Sequence, residues 1–183
     1  MGFFDPPPAE EEPPREEPDW LGPSPGVLGV AVPFAAVLAR TGEVALVVAH
    51  LTAYPNGFEF RLLVRLRAAG GRADPLFMHP GGGQGADAFH LGVQFADGRK
   101  ATNVFRPRPG DGPPEQPLLM MRGGGGGPRS WDAGLWVWGL PPSGPLAFVC
   151  EWRERGIAES RLELDAQQVL DAAARAEQLW PDE

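Results

Sequence analysis

The side chains of this sequence best suited to chemistry are its three histidines, its acidic residues and its single cysteine. His79, Asp87 and His90 are candidates for one metal ion, because loop and strand residues can supply ligands together. Their spacing matches no ligand motif, however, and a zinc site normally has three or four ligands with supporting hydrogen bonds. His50 lies in an apolar segment, a setting typical of a hydrogen-bonded strand histidine. We therefore predict neither a metal site nor a cofactor.

The remaining candidates match no catalytic motif. The sequence has no Gly-x-Ser-x-Gly, the motif of many hydrolases. A glycosidase needs two carboxylates across a cleft, and no such pair is recognisable among the acids nearest to predicted strands, which are Glu59, Asp97, Asp132 and Glu151. Residues 123–127 are five glycines without the Lys-Ser/Thr of a phosphate-binding loop, so we predict a flexible linker between strands. Cys150 lies among apolar residues and is predicted to be buried and unreactive. No catalytic residue is assigned.

The tryptophans are the strongest functional lead. Trp136 and Trp138 share one face of a predicted strand, because side chains alternate between the two faces. If that face is open, its flat aromatic surface could stack a sugar, a base or a peptide ring. If it is closed, the two residues belong to the core, covered for example by a C-terminal helix and Trp180. Soluble proteins rarely leave so much aromatic area bare, which favours the core.

Three turns organise the strands that must position these residues. Asn56-Gly57 and Asp97-Gly98 are strong hairpin signals. Residues 58–67 alternate between apolar and polar side chains, which places Glu59, Arg61 and Arg65 on a solvated face with cross-strand ion pairs. In residues 131–152, two apolar runs flank Pro-Pro-Ser-Gly-Pro. We predict that they form a third hairpin, apolar on both faces, at the centre of a β domain.

The rest of the chain predicts further strands and one helix. Strands are expected at residues 27–39, broken at Pro33, and at residues 118–122 and 157–164. A helix is expected at about residues 165–180, with Asp165 as its N-cap and apolar residues at helical spacing. Strands in series followed by one helix predict a mainly β fold, an antiparallel β-sandwich of immunoglobulin-like type with one C-terminal α-helix. A partly open barrel is the alternative.

Residues 1–24 predict a disordered, acidic and proline-rich arm, followed by the sandwich domain at residues 25–183. Residues 1–19 carry seven acidic residues and one arginine, within a net charge of −8 for the chain. Like charges and prolines keep such a segment from forming a core. The arm is either a solvated tail with Trp20 docked on the domain edge, or a short motif whose anchors Phe3 and Phe4 bind another protein. The nearly neutral remainder argues against nucleic-acid binding.

The location follows from signals that the sequence lacks. No apolar run is long enough to cross a bilayer, and the start does not resemble a signal peptide. One cysteine cannot form an intrachain disulfide, so a reducing compartment is the default. We predict a cytoplasmic protein that binds no membrane.

Residues 135–152, the turn from Tyr54 to Phe60 and the alanine-rich segment that ends at Trp180 resemble uncharacterised proteins of high-G+C Gram-positive bacteria. The resemblance covers most of residues 26–180 and implies no activity. Three functions therefore stay open. The first is a non-enzymatic protein-binding module that uses its arm, an exposed edge strand or the tryptophan segment. The second is a small-ligand or carbohydrate-binding module using Trp136 and Trp138. The third is an enzyme with a metal or carboxylate site in residues 70–90.

Overall fold

A computed structural model of the chain describes residues 18–68, 88–103 and 114–180. These residues form eleven strands and one α-helix, α1 (Gln167–Ala173), with a short 3-10 turn at Arg153–Arg155. The strands are β1 (Val27–Leu28), β2 (Val30–Arg40), β3 (Val44–Tyr54), β4 (Gly57–Leu66), β5 (His90–Gln94), β6 (Lys100–Thr102), β7 (Leu118–Gly127), β8 (Ser130–Trp138), β9 (Pro145–Trp152), β10 (Ile157–Asp165) and β11 (Glu177–Gln178). The predicted mainly β class with one helix is confirmed.

The strands form three antiparallel sheets. The five-stranded sheet has the order β2-β3-β4-β8-β7, the four-stranded sheet β10-β9-β5-β6, and β1 pairs with β11. The two larger sheets share one hydrophobic core, in which the ring of Phe60 meets that of Phe148 edge-on with centroids 4.9 Å apart. Among the described residues, no polar or charged side chain is buried in that core.

Two of the predicted hairpins are confirmed. β3 and β4 are joined at Pro55-Asn56, and Tyr54 lies opposite Gly57. β5 and β6 are joined at Asp97-Gly98, where Gly98 has a φ of 87°, a conformation that glycine adopts without steric cost. The alternation in β4 is also confirmed, because every second residue from Phe58 to Leu66 is buried.

The third predicted hairpin is wrong, since β8 and β9 lie in different sheets. β8 is paired on both edges, with β4 and with β7, while β9 pairs with β10 and β5. The residues between them therefore cross from one sheet to the other. Gly139 and Gly144 both have positive φ values in this crossing, 96° and 121°. The apolar character of both faces of the two strands reflects burial in separate sheets and not mutual pairing.

The predicted helix is too long. α1 has seven residues, and its N-cap is Ala166, although the Asp165 carboxylate accepts a hydrogen bond from the Gln167 amide at 3.0 Å. After the helix, Glu177 and Gln178 pair with β1, and the Leu179 amide donates to the Gly26 carbonyl. This pairing satisfies the backbone groups that a longer helix would have satisfied internally. Trp180 consequently leaves the helix and is 73% exposed.

Two strands continue through residues expected to interrupt them. Residues 123–127, predicted as a linker, form half of β7 and pair with β8. Similarly, β2 continues through Pro33, where a register shift between Val32 and Ala35 accommodates the proline. β2 is an edge strand, which is where a strand tolerates a residue without a backbone N–H.

Candidate functional site

The candidate site lies on the outer face of the five-stranded sheet, the face turned away from the core. Along β8, Ala133 and Leu135 point into the core, so Gly134, Trp136 and Trp138 belong to the outer face. Trp136 is nevertheless fully buried, with 0% exposure. A second layer of protein therefore covers this end of the outer face.

Residues 19–22, which we name the strap, provide contacts in that layer. The indole Nε1 of Trp136 donates to the Trp20 carbonyl at 3.2 Å. Asn56 Nδ2 donates to the Asp19 carbonyl at 2.9 Å, and Arg122 Nη1 donates to the Leu21 carbonyl at 2.7 Å. Three side chains of the sheet thus hold three backbone carbonyls of the strap.

The predicted contact residues have different positions in this arrangement. Trp136 is buried, with the ring of Tyr54 packed edge-on against it at 5.8 Å between centroids, and Trp138 is half-buried. Trp20 is half-buried within the strap. Phe3 and Phe4 lie outside the described residues. The contacts over Trp136 come from the strap, whereas the sequence suggested the C-terminal helix and Trp180.

A groove of about 930 Å³ occupies the outer face near the strap. Its floor has few side chains, because Gly134 of β8 lies opposite Gly123 of β7, and Gly125 lies two residues further along β7 on the same face. The polar side chains around this floor are His50, Thr52, Glu59, Arg61, Arg122 and Asp132. The register explains the shape, since Arg61 of β4 pairs with Gly134 and thus borders a gap in the side-chain layer.

The charges of the groove are unequally compensated. Asp132 forms an ion pair with Arg65, as expected for a solvated face with cross-strand pairs. Glu59 accepts a hydrogen bond from the Tyr54 hydroxyl at 3.2 Å, and burial, together with the Glu59 charge, raises the pKa of Tyr54 to about 12. Arg61 is exposed and has no hydrogen bond or ion pair with any described residue. Among the described residues, the Arg122 guanidinium donates to the Leu21 backbone carbonyl and pairs with no carboxylate. Since Arg65 balances Asp132, the two guanidiniums of Arg61 and Arg122 face one remaining carboxylate, that of Glu59, and the groove has one excess positive charge.

His50 enters the groove from a β-bulge. β3 places His50 and Leu51 opposite the single residue Phe60, and His50 has a φ of 54°. The left-handed region costs a residue with a Cβ about 1 kcal/mol or more, and bulges of this kind re-aim a side chain. Sequence reasoning expected a hydrogen-bonded strand histidine, but His50 is exposed and makes no hydrogen bond to a described residue.

β7 closes the groove on one side and, among the strands of the described residues, forms an edge of the sheet. Between β4 and β8, the Leu66 amide donates to the Arg129 carbonyl and the Gly139 amide to the Asn56 carbonyl. In an antiparallel ladder, hydrogen-bonded residues alternate with residues whose backbone groups point to the other side. Because Arg129 and Gly139 bond to β4, the odd-numbered residues of β8 bond to β4 and the even-numbered residues bond to β7. Gly125, opposite Asp132, therefore bonds to β8. Gly124 and Gly126 direct their N–H and C=O groups away from the sheet.

Other candidates from the sequence do not assemble a site. His79 and Asp87 lie outside the described residues, and His90 Nδ1 is 3.9 Å from a Glu151 carboxylate oxygen. Within residues 18–68, 88–103 and 114–180, no group of three histidine, cysteine or acidic side chains is arranged to hold a metal ion. Cys150 is 2% exposed, and burial raises the pKa of its thiol to about 12, which confirms the predicted buried cysteine.

A second groove of about 370 Å³ lies on the four-stranded sheet. Two of its charged side chains already have charged partners outside the groove lining. Arg161 bonds to Glu163 and Gln94, and Glu151 accepts from Arg153. We therefore place the candidate site on the five-stranded sheet.

Comparison of the chain with protein-family models, curated proteins and solved structures finds no significant match. In the part of the chain that the structure describes, no helix has the length and hydrophobicity needed to cross a bilayer. The site must therefore be interpreted from its own geometry.

Proposed function

We propose that this protein is a binding module that takes up an extended segment of a partner protein as an additional strand next to β7. The observation that carries the proposal is the outward direction of the Gly124 and Gly126 backbone groups at an exposed sheet edge. Unpaired N–H and C=O groups at such an edge are a template for another strand.

The other edges of the two larger sheets carry features that hinder strand addition. β2 has Pro33 and two register shifts, and β6 is only three residues long. β10 is lined by charged side chains, including Glu159 and Arg161. Prolines, bulges, charges and short length are the usual means by which proteins protect an edge. The bulge of β7 lies between Met121 and Gly123, and residues 124–127 beyond it have none of these features.

The glycines of β7 support the same function. Glycine weakens a strand, and it often marks a place where another backbone approaches closely. The fold accounts for Gly124, where a Cβ would lie 2.6 Å from the Trp131 ring, and for Gly126, where it would lie 2.0 Å from the Ser130 carbonyl oxygen. At Gly125 and Gly127 a Cβ would meet nothing within 4 Å. A partner backbone lying beside β7 gives these two glycines a role.

An immunoglobulin-like sandwich in the cytoplasm completes the proposal. If β3 to β10 are taken as strands A, B, C, C′, D, E, F and G, the five-stranded sheet has the order A-B-E-D with β2 added beside A, and the other sheet has the order G-F-C-C′. These are the sheet orders of immunoglobulin domains, and β7 is then edge strand D. The unpaired, buried Cys150 is consistent with a reducing compartment. A ring-stacking site, by contrast, would require the strap to leave Trp136.

The test is a selection of short random peptides displayed on phage against the full-length protein. Each enriched peptide is then synthesised with a single N-methyl group at successive positions. A peptide that adds to β7 bonds through every second backbone amide, so we expect binding to fall at alternate positions only. The intervening N-methyl peptides are matched controls, because they carry the same modification on the solvent side. If N-methylation weakens binding at consecutive positions, or if no peptide is enriched at all, strand addition is contradicted.

A further inference from the structure

We propose that the groove on the outer face selects acidic side chains of the added strand, so that the partner segment carries aspartate or glutamate at alternate positions. This inference rests on the proposed function and adds the chemistry of the partner. It is carried by the excess of positive charge that Arg61 and Arg122 have over Glu59, beside a floor of glycines.

The direction of strand addition brings partner side chains to this groove. A strand added to β7 lies about 4.8 Å from it, and every second side chain of that strand stands on the outer face. Gly123 and Gly125 put no side chain in the way. A partner side chain on that face therefore passes over β7 toward the groove.

Arg122 is the first cation that such a side chain meets, because Arg122 belongs to β7 itself. Directly opposite residues on neighbouring strands have Cβ atoms about 5 Å apart, a distance that a carboxylate and a guanidinium bridge. The single bond from Arg122 Nη1 to the strap leaves the other guanidinium donors for a ligand. Arg61 lies two strands further away, about 10 Å from β7. We expect it to act on the longer glutamate side chain across Gly134.

The acids of the groove do not cancel this preference. Asp132 is paired with Arg65, and the one remaining carboxylate, that of Glu59, stands against the two guanidiniums of Arg61 and Arg122. His50 faces the same groove and adds positive charge only when it is protonated. The groove thus has one excess positive charge, on a chain whose net charge is −8. Charge complementarity therefore favours an acidic partner strand over a basic one.

The experiment compares the peptide pools selected by the full-length wild-type protein and by the Arg122→Gln and Arg61→Gln variants. Arg67→Gln is the matched control, since Arg67 is an exposed arginine just beyond β4 and outside the groove. We expect acidic residues to be enriched at alternate positions by the wild type and the control. We expect the enrichment to fall for Arg122→Gln and, to a smaller extent, for Arg61→Gln. The second variant matters because Arg61, unlike Arg122, makes no hydrogen bond to the strap.

The affinity of one acidic peptide gives the quantitative test. Changing its glutamate to glutamine should weaken binding to the wild type about tenfold, the size of a charge-assisted hydrogen bond at a partly exposed site. The same change in the peptide should hardly alter its affinity for the Arg122→Gln variant, because this variant has already lost the interaction between Arg122 and the peptide glutamate. Two outcomes would overturn the acidic preference but not strand addition. In the first, N-methylation weakens binding at alternate positions but the selected peptides are not enriched in acidic residues. In the second, the change from glutamate to glutamine weakens binding equally for the wild type and every variant. Peptides without that alternation would overturn both proposals.

Discussion

Alanine substitutions at neighbouring glycines of β7 should have opposite effects on stability. A Cβ at position 124 would lie 2.6 Å from Trp131 Cζ2 and 2.9 Å from the Asp132 carbonyl oxygen. The core-side tryptophan must shift to make room, and such overpacking costs about 1–3 kcal/mol. At position 125 nothing lies within 4 Å, and φ is not positive. Gly125→Ala should therefore raise the free energy of unfolding by about 0.5–1 kcal/mol, because alanine loses less backbone entropy on folding.

Urea unfolding followed by tryptophan fluorescence measures both effects on the full-length protein. For a chain of this size, 1 kcal/mol corresponds to about 2–4 °C in Tm, so thermal unfolding provides a second measurement. Gly127→Ala is a replicate of the open case, since a Cβ there also meets nothing within 4 Å. If Gly125→Ala destabilises the protein as much as Gly124→Ala does, the fold itself requires glycine at position 125. The case for a partner backbone at β7 would then lose one of its supports.

Three other predictions concern the interior and the strap. Tyr54 is the only tyrosine, so its phenolate absorbance should develop near pH 12 in the native protein and near pH 10 after unfolding. Because the pKa is raised in the folded state, the contribution of Tyr54 to stability is complete below about pH 10 and is lost toward pH 12. A titration midpoint near pH 10 in the native protein would contradict this. Cys150 should not react with a thiol reagent at pH 8 until the protein is unfolded, and rapid labelling of the native state would show that the thiol is accessible. Asn56→Ala removes the donor to the Asp19 and Gly22 carbonyls, so it should lower the unfolding free energy by about 1 kcal/mol and increase proteolysis within the strap, whereas unchanged cleavage would show that Asn56 does not hold it.

Local signals in the sequence account for the hairpins but not for the arrangement of the sheets. Asn56-Gly57 and Asp97-Gly98 determine turns through the backbone freedom of a few residues, so they are predictable without the rest of the fold. The pairing of β8 depends on β4, which lies more than 60 residues earlier in the chain. The proline-rich segment after Trp138 has the composition of a turn whether it joins paired strands or crosses between sheets.

The candidate site was only partly predictable for the same reason. The period of two in β4 places Glu59 and Arg61 on a solvated face, and the structure agrees. The groove itself arises because Gly134 and Gly123 lie beside Arg61 in register. Gly134 was a usable signal, since an isolated glycine in an apolar strand often marks a bulge or a close approach. The glycines of β7 gave the opposite signal, because low strand propensity predicts a linker unless a neighbouring strand pairs with them.

Amide hydrogen exchange at residues 124–126 tests the central claim most directly. In the free protein, Gly125 should exchange slowly because it bonds to β8, while Gly124 and Gly126 should exchange quickly at the open edge. With a saturating selected peptide, we expect Gly124 and Gly126 to become protected and Gly125 to remain so. If Gly124 and Gly126 exchange as fast in the complex as in the free protein, the partner does not add to β7, and the proposed binding mode is wrong.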